Sequence, residues 1–193
     1  MHYDALETRD PAERETALFA ALPKQVALAK LKSAAFGEML ADVDPATVNS
    51  RAALARLPVM RKSELMERQK KLRGVDVFGG FSTIGWGQRR GAVRVFSSPG
   101  PIYEPEGLAP DYWRMARAIF AAGFRAGDLV HNSFSYHFTP VGSMMDTGAR
   151  AVGCTVFAAG VGQTEMQVQA IAELQPAGYI GPPSFLKIIL EKA

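Results

Sequence analysis

Three short stretches carry residue types whose spacing can do chemistry. The first runs Arg94-Val-Phe-Ser-Ser-Pro-Gly-Pro-Ile-Tyr-Glu-Pro-Glu-Gly107 and sets Ser97, Ser98, Gly100 and Tyr103 in or beside a proline-stiffened loop. A strand, a Gly/Ser loop and a helix in that order offer free N–H groups and a positive dipole end, which is how α/β enzymes hold phosphates. The second, Tyr136-His137-Phe138, follows a predicted strand, where ligands sit in open α/β sheets and where rings can stack on a substrate. The third, Gly160-Val-Gly162-Gln163-Thr164-Glu165, lies between a strand and a helix N-terminus, a favourable place for an anion. It lacks the third glycine of a dinucleotide fingerprint. Each stretch also has a plainer reading: a rigid connector, two core aromatics with His137 at the rim, and a tight turn.

Other chemistry is poorly supported. His131 and His137 make no convincing metal pair, since no Cys or carboxylate joins them at a suitable spacing, and no metal site is expected. His131 lies inside a predicted strand and reads as a packed, hydrogen-bonded residue. Cys154, the only cysteine, excludes an internal disulfide and reads as a small apolar filler rather than a nucleophile. No Gly-x-Ser-x-Gly elbow supports a hydrolase triad.

Composition sets the outer bounds. The 193 residues are 48% hydrophobic and 21% charged, which is a globular balance. No run approaches the roughly 18 apolar residues of a membrane span, and the N-terminus shows no signal pattern, so the expected location is the cytoplasm, with no membrane partner. The net charge of +3 is uneven: residues 51–94 hold eleven Lys/Arg against three acids. Such a stretch can meet phosphates of a nucleotide or of CoA, or can be a solvated face. Nucleic acid is not expected, because no aromatics interleave with the basic residues.

The elements that must position these stretches follow from periodicity. Asp10-Pro11 opens a helix with Leu18, Leu22, Val26 and Ala29 in a stripe, and Pro23 should kink or divide it. A charged helix ends near Arg73-Gly74, and residues 77–91 read as a glycine- and aromatic-rich hairpin or loop. Strands are expected at 93–97, 129–134, 155–158 and 178–181, with helices at 111–122, 141–152, from a Thr164/Gln167 capping box, and from Ser184. The fold class is therefore α/β: a helical N-terminal segment (1–75), then an α/β segment (76–193) with a doubly wound, mostly parallel sheet and right-handed crossovers. The chain stops inside its last predicted helix, so the expectation is a truncated domain whose open sheet edge favours a homodimer.

Ser97-Ser98, Tyr136-His-Phe-Thr-Pro-Val-Gly142, Gly162-Gln-Thr-Glu165 and Pro182-Pro-Ser-Phe185, in this order, resemble phenylacetate–CoA ligases of the adenylate-forming superfamily. The segments Ser33-Ala-Ala-Phe36 and Leu57-Pro-Val-Met-Arg-Lys62 are similar to that family's opening. The likeness runs over nearly the whole chain but only the first half of such an enzyme. It implies ATP, Mg²⁺ and CoA as reactants and cofactors, and a carboxylic acid, aromatic by analogy, as substrate. It also implies an acyl or aryl pocket near Tyr136, His137 and Phe138, with the loop from Gly160 to Glu165 nearby. The catalytic lysine and the mobile C-terminal domain would lie beyond Ala193, so this chain alone is expected to be inactive. Where the family's phosphate loop reads Ser-Ser-Gly-Thr-Thr-Gly, this chain reads Ser97-Ser98-Pro99-Gly100-Pro101-Ile102-Tyr103-Glu104. The prolines remove donors and Glu104 adds negative charge. Either ATP is held in an altered way, or the fold serves as a non-catalytic binding or scaffold module.

Overall fold

The computed structural model describes residues 1–193. The chain divides into two compact units. One comprises Asp4–Val95 and Gly100–Pro105, the other Met1–Tyr3, Phe96–Pro99 and Glu106–Ala193. The first unit thus extends to Val95, whereas the sequence reading sets a boundary after residue 75.

The first unit is mostly helical. Asp10 caps α1 (Pro11–Lys32) by accepting from the N–H groups of Ala12 and Glu13, and Pro11 sits where a missing N–H costs nothing. The helix runs through Pro23 as one element rather than dividing there. Its stripe is only partly covered: Val26 is buried with Leu40 and Val48, while Leu18 is exposed. Ser33 ends α1 and caps α2 (Ala34–Met39). A short α3 (Arg51–Leu54) precedes α4 (Lys62–Leu72). Residues 77–91 form an irregular loop with one isolated bridge, Gly85 to Gly91, and no hairpin strands. Asp76 organises it, accepting from Phe78 N–H, Gly80 N–H and the Arg89 guanidinium.

Two strands come next, β1 (Ala92–Ser98) and β2 (Ile102–Gly107), paired only with each other. A three-residue connection cannot join parallel neighbours, so they form an antiparallel hairpin. This corrects two expectations. The 93–97 strand does not join the parallel sheet, because residues 102–107 take its hydrogen bonds. The helix expected over 111–122 is shorter, α5 (Ala116–Ala121), since Arg114 takes a left-handed φ of 60° and Asp111 bonds the Met115 and Ala116 N–H groups instead.

The second unit holds the parallel sheet, with strand order β4 (Thr155–Ala158), β3 (Leu129–Asn132), β5 (Gly178–Ile180). Three strands pair, not four. Against one face lie α5 and α6 (Val141–Val152), where Ile119 and Ala149 meet Val130, Cys154, Val156 and Ile180. Cys154 fills this core as expected, and burial pushes its thiol pKa up. The opposite face carries a cross-strand row: His131 stands beside Phe157 and stacks on Tyr179 at 6.0 Å. Over that row lies α7 (Thr164–Leu174), which packs with α8 (Pro183–Lys192). The α/β class with helices followed by a parallel sheet is as read from sequence.

Candidate functional site

Adjacent strands β3 and β4 send their following helices to opposite faces of the sheet. The loops after them diverge at the carboxyl ends of the strands, the topology that places the ligand crevice of open α/β sheets there. Two of the three chemical stretches meet there.

The loop 133–140 is built on Asn132. Its side-chain amide donates to the Tyr136 hydroxyl (2.7 Å) and to the Gly142 carbonyl (3.0 Å), and its Oδ1 accepts the Phe134 N–H. Gly142 N–H returns to the Ser135 carbonyl, and a Cβ on Gly142 would collide with that same carbonyl. This close approach requires glycine at the start of α6. Tyr136 therefore turns inward, half-buried, and burial together with the nearby Asp146 charge pushes its phenol up to about 12. It is a neutral hydrogen-bonding group at physiological pH. His137 and Phe138 point outward instead; Phe138 is 80% exposed with a φ of 59°. The trio divides into one anchored ring and two rings available for contact. Phe138 also receives the Ser97 N–H on its carbonyl at 2.7 Å, which ties the end of β1 to this loop.

The loop 160–163 joins the same crevice through Gly160 N–H, which donates to the Asn132 carbonyl at 3.1 Å. Gly160, Gly162 and Gln163 all adopt left-handed backbone. The capping box expected from Thr164 and Gln167 is absent: Thr164 is already helical, and Gln163 occupies the cap without a side-chain bond. Gln167 is 3% exposed and turns back into the loop. Its amide nitrogen donates to Gly160 O (2.9 Å) and Gly162 O (2.7 Å), leaving Oε1 to face His131 Nε2 at 2.8 Å. With both amide protons committed to carbonyls, Oε1 must accept, so Nε2 of His131 carries the proton. Glu165 is paired with Lys192 at 2.9 Å. Past these residues runs an open groove of about 600 Å³, lined by Gln163, Thr164, Glu165, Met166, Ile188, Glu191 and Lys192.

The remaining stretch lacks the expected geometry. Ser97 and Ser98 end β1, Gly100 lies in the hairpin turn with a φ of 149°, and Tyr103 is on β2. A strand, not a helix, follows the turn. No helix dipole points at it, and between Pro99 and Pro101 only Gly100 has an N–H to offer. As a phosphate cradle the turn does not fit. Its strand conformation also moves Glu104, because successive side chains on β2 face opposite ways and Glu104 cannot share a face with Tyr103. Tyr103 is held by its backbone: its N–H donates to Gln69 Oε1 (2.8 Å) and its carbonyl accepts from Gln69 Nε2 (2.9 Å). Gln69 comes from α4 and is 3% exposed.

Sequence reasoning missed Asn132, Gln167 and Gln69 as organisers. The only signal was a polar side chain in a strand or helix otherwise due for burial. No group of three or more His, Cys, Asp or Glu side chains converges, and no helix is long and apolar enough to cross a membrane.

Comparison with known proteins adds a lineage. No family model matches the chain. A phenylacetate-coenzyme A ligase of Aromatoleum evansii is 32% identical over 157 residues, covering 78% of this chain and 33% of the relative. The Thermus thermophilus enzyme of the same name is 29% identical over 159 residues, again 33% of its length. That of Pseudomonas putida is 44% identical over 72 residues, 16% of its length. The chain thus spans at most about a third of the curated relatives it matches. Among solved structures, 2-hydroxyisobutyryl-CoA ligase, in the postadenylation state with 2-HIB-AMP, superposes with a TM-score of 0.81 at 22% identity, over 94% of this chain and 39% of that one. Its complex with R3-HIB-AMP gives 0.83. These neighbours share the fold.

Proposed function

The chain is a homologue of the phenylacetate–CoA ligases and matches an N-terminal part of those adenylate-forming enzymes, and from that premise we propose that it contributes the carboxylate-binding side of an acyl- or aryl-CoA ligase. The reaction would join a carboxylic acid to AMP with release of pyrophosphate, and CoA thiolate would then displace AMP. ATP, Mg²⁺ and CoA are its implied reactants. The observation that carries this reading is the 32% identity over 157 residues. The crevice at the ends of β3 and β4 supports it physically: the two outward rings, His137 and Phe138, suit an aromatic acid, and Tyr136 fixes the loop that carries them. Positioned donors are what such a reaction needs from its protein, because the phosphate charge develops with little covalent help.

By itself the chain is proposed to be inactive, and to act in a cytoplasmic homodimer or with further polypeptide equivalent to the rest of its relatives. Light scattering at high concentration tests the dimer; a clean monomer overturns it. The enzymatic reading is tested by carboxylate-dependent ATP–pyrophosphate exchange in a polypeptide that joins this chain to such a remainder, across a panel of aromatic and aliphatic acids. Exchange with at least one acid supports it, and none across the panel overturns it. One observation favours a second reading, a non-catalytic binding module: the Pro99-Gly100-Pro101 turn has lost the donors of a phosphate loop. Calorimetric binding of an aryl acid without any exchange would favour the module.

A further inference from the structure

The loop that Asp76 organises carries a pocket of its own. Gly85 closes the turn beneath it: its N–H donates to the Arg90 carbonyl, and its carbonyl accepts from the Ala92 N–H, each at 2.9 Å. Val75, Asp76, Val77, Phe78, Gly85, Trp86 and Arg89 line a space of about 200 Å³. All seven belong to the unit Asp4–Val95, which contains none of Tyr136, His137 and Phe138.

The walls are held in place by the protein itself. Phe78 is buried and meets the Trp86 indole edge to face, with ring centroids 5.7 Å apart. The stem of Arg89 lies against Gly85, where a Cβ would come within 3.1 Å of Arg89 Cδ. One Nη2–H of Arg89 is held by Asp76 Oδ2 at 2.8 Å. Asp76 is otherwise occupied by the N–H groups of Phe78 and Gly80, so its charge is already matched. The other N–H groups of the guanidinium have no protein partner, and neither has the indole N–H of Trp86, which is 60% exposed. Donors left over beside an aromatic face fit a carboxylate carried on a flat apolar body: the guanidinium matches the two oxygens, and the body lies on the indole. Restricting Arg89 beforehand lowers the entropy lost on binding. Size narrows the ligand further. Sites for drug-sized molecules start at about 300 Å³, so this pocket takes a single ring and its acid group, not a nucleotide.

We propose that this pocket binds a small aryl carboxylate, with the acid group on Arg89 and the ring against Trp86. The site uses none of the residues of the crevice at β3 and β4, and it does not depend on the ligase reading.

The test is a ¹⁵N-HSQC titration of the 193-residue chain, which has two tryptophans and therefore two indole N–H signals. W86F assigns the signal of Trp86. Phenylacetate and benzoate are the probes; phenylacetamide removes the charge and acetate removes the ring. The Trp86 signal should shift saturably with the aryl carboxylates, in the millimolar range expected for about ten non-hydrogen atoms, and about tenfold more weakly with the other two. R89Q should weaken binding about tenfold, the scale of a lost charge-assisted contact. R89K, which keeps the charge but not the fork, should fall between. Val75 lines the pocket and is 92% exposed, so V75E adds a repelling charge without touching the Asp76–Arg89 pair and should also weaken binding. If R89Q disturbs signals across the whole spectrum, V75E and R89K decide, and unchanged affinity in both overturns the site. The absence of a saturable Trp86 shift, or an equal response to phenylacetamide, also overturns it. H137A/F138A should leave the Trp86 shift intact; its loss there would assign the acid to the crevice and overturn the proposal. Pyrophosphate exchange judges the ligase reading separately, and either can fail alone.

Discussion

Nε2 of His131, in the middle of the parallel sheet, donates to Oε1 of Gln167, 36 residues later on α7, across 2.8 Å of buried space. Through that amide the sheet, the helix and the 160–163 loop become one structure, because the same side chain holds the carbonyls of Gly160 and Gly162. One wall of the crevice therefore depends on a residue that never faces it.

Gln167→Leu should expose that dependence. The substitution keeps the volume but strands two carbonyls and the His131 N–H, each costing about 1–3 kcal/mol when left unsatisfied out of water. A total loss of about 2–4 kcal/mol is expected, less than the sum because the loop can relax toward solvent. Urea denaturation measures it, and an unchanged midpoint would show that the clasp is ornamental.

Gly142→Ala should disturb the aromatic loop without touching a ring. The new methyl would strike the Ser135 carbonyl, so either the 133–140 loop or the first turn of α6 must shift. Overpacking of this kind costs about 1–3 kcal/mol. Fluorescence or NMR shifts of Tyr136 and Phe138 should move with the loss. Wild-type stability and spectra would refute the close approach.

Tyr136 titrates late. Burial and the Asp146 charge raise its folded pKa from an ordinary 10.0 to about 12, despite the hydrogen bond from Asn132. A raised folded value means that the stability it contributes is fully present below pH 10 and is lost as pH climbs from there through about 12. Ultraviolet titration should show one phenol ionising late, and that component should vanish in Tyr136→Phe. The variant should also lose less stability than wild type across the same window. A full set of phenols titrating together near 10 would contradict the burial.

Asp76 provides the acid-side counterpart. Burial pushes its carboxyl up, but the Arg89 hydrogen bond and charge with the Phe78 and Gly80 N–H groups outweigh it and hold it below the ordinary 3.8. A depressed folded value gives stability that is present above 3.8 and lost as pH falls through the folded value. Asp76→Asn should flatten that part of the acid limb and loosen residues 76–91, read by amide exchange. Wild type and variant with the same acid profile would exclude the linkage.

Much of the α/β unit was determined by the sequence alone. Residues 141–152 and 155–158 are helix and strand as their periodicity and flanking glycines require, since these signals are local and the core that covers them is ordinary. The homology to phenylacetate–CoA ligases was likewise carried by motif order, because short motifs survive where pairwise identity falls. Tertiary structure decided the rest. The prolines of 99–105 read as a loop, yet residues 102–107 are extended because β1 offers them a partner, and an edge strand tolerates Pro105. Thr164 and Gln167 have the spacing of a capping box, but burial against His131 gives the amide more to satisfy inside than at the helix end. Gln69 meets Tyr103 from 34 residues away. Hydrogen bonds of that range depend on which surfaces the fold brings together, and no local pattern contains that information.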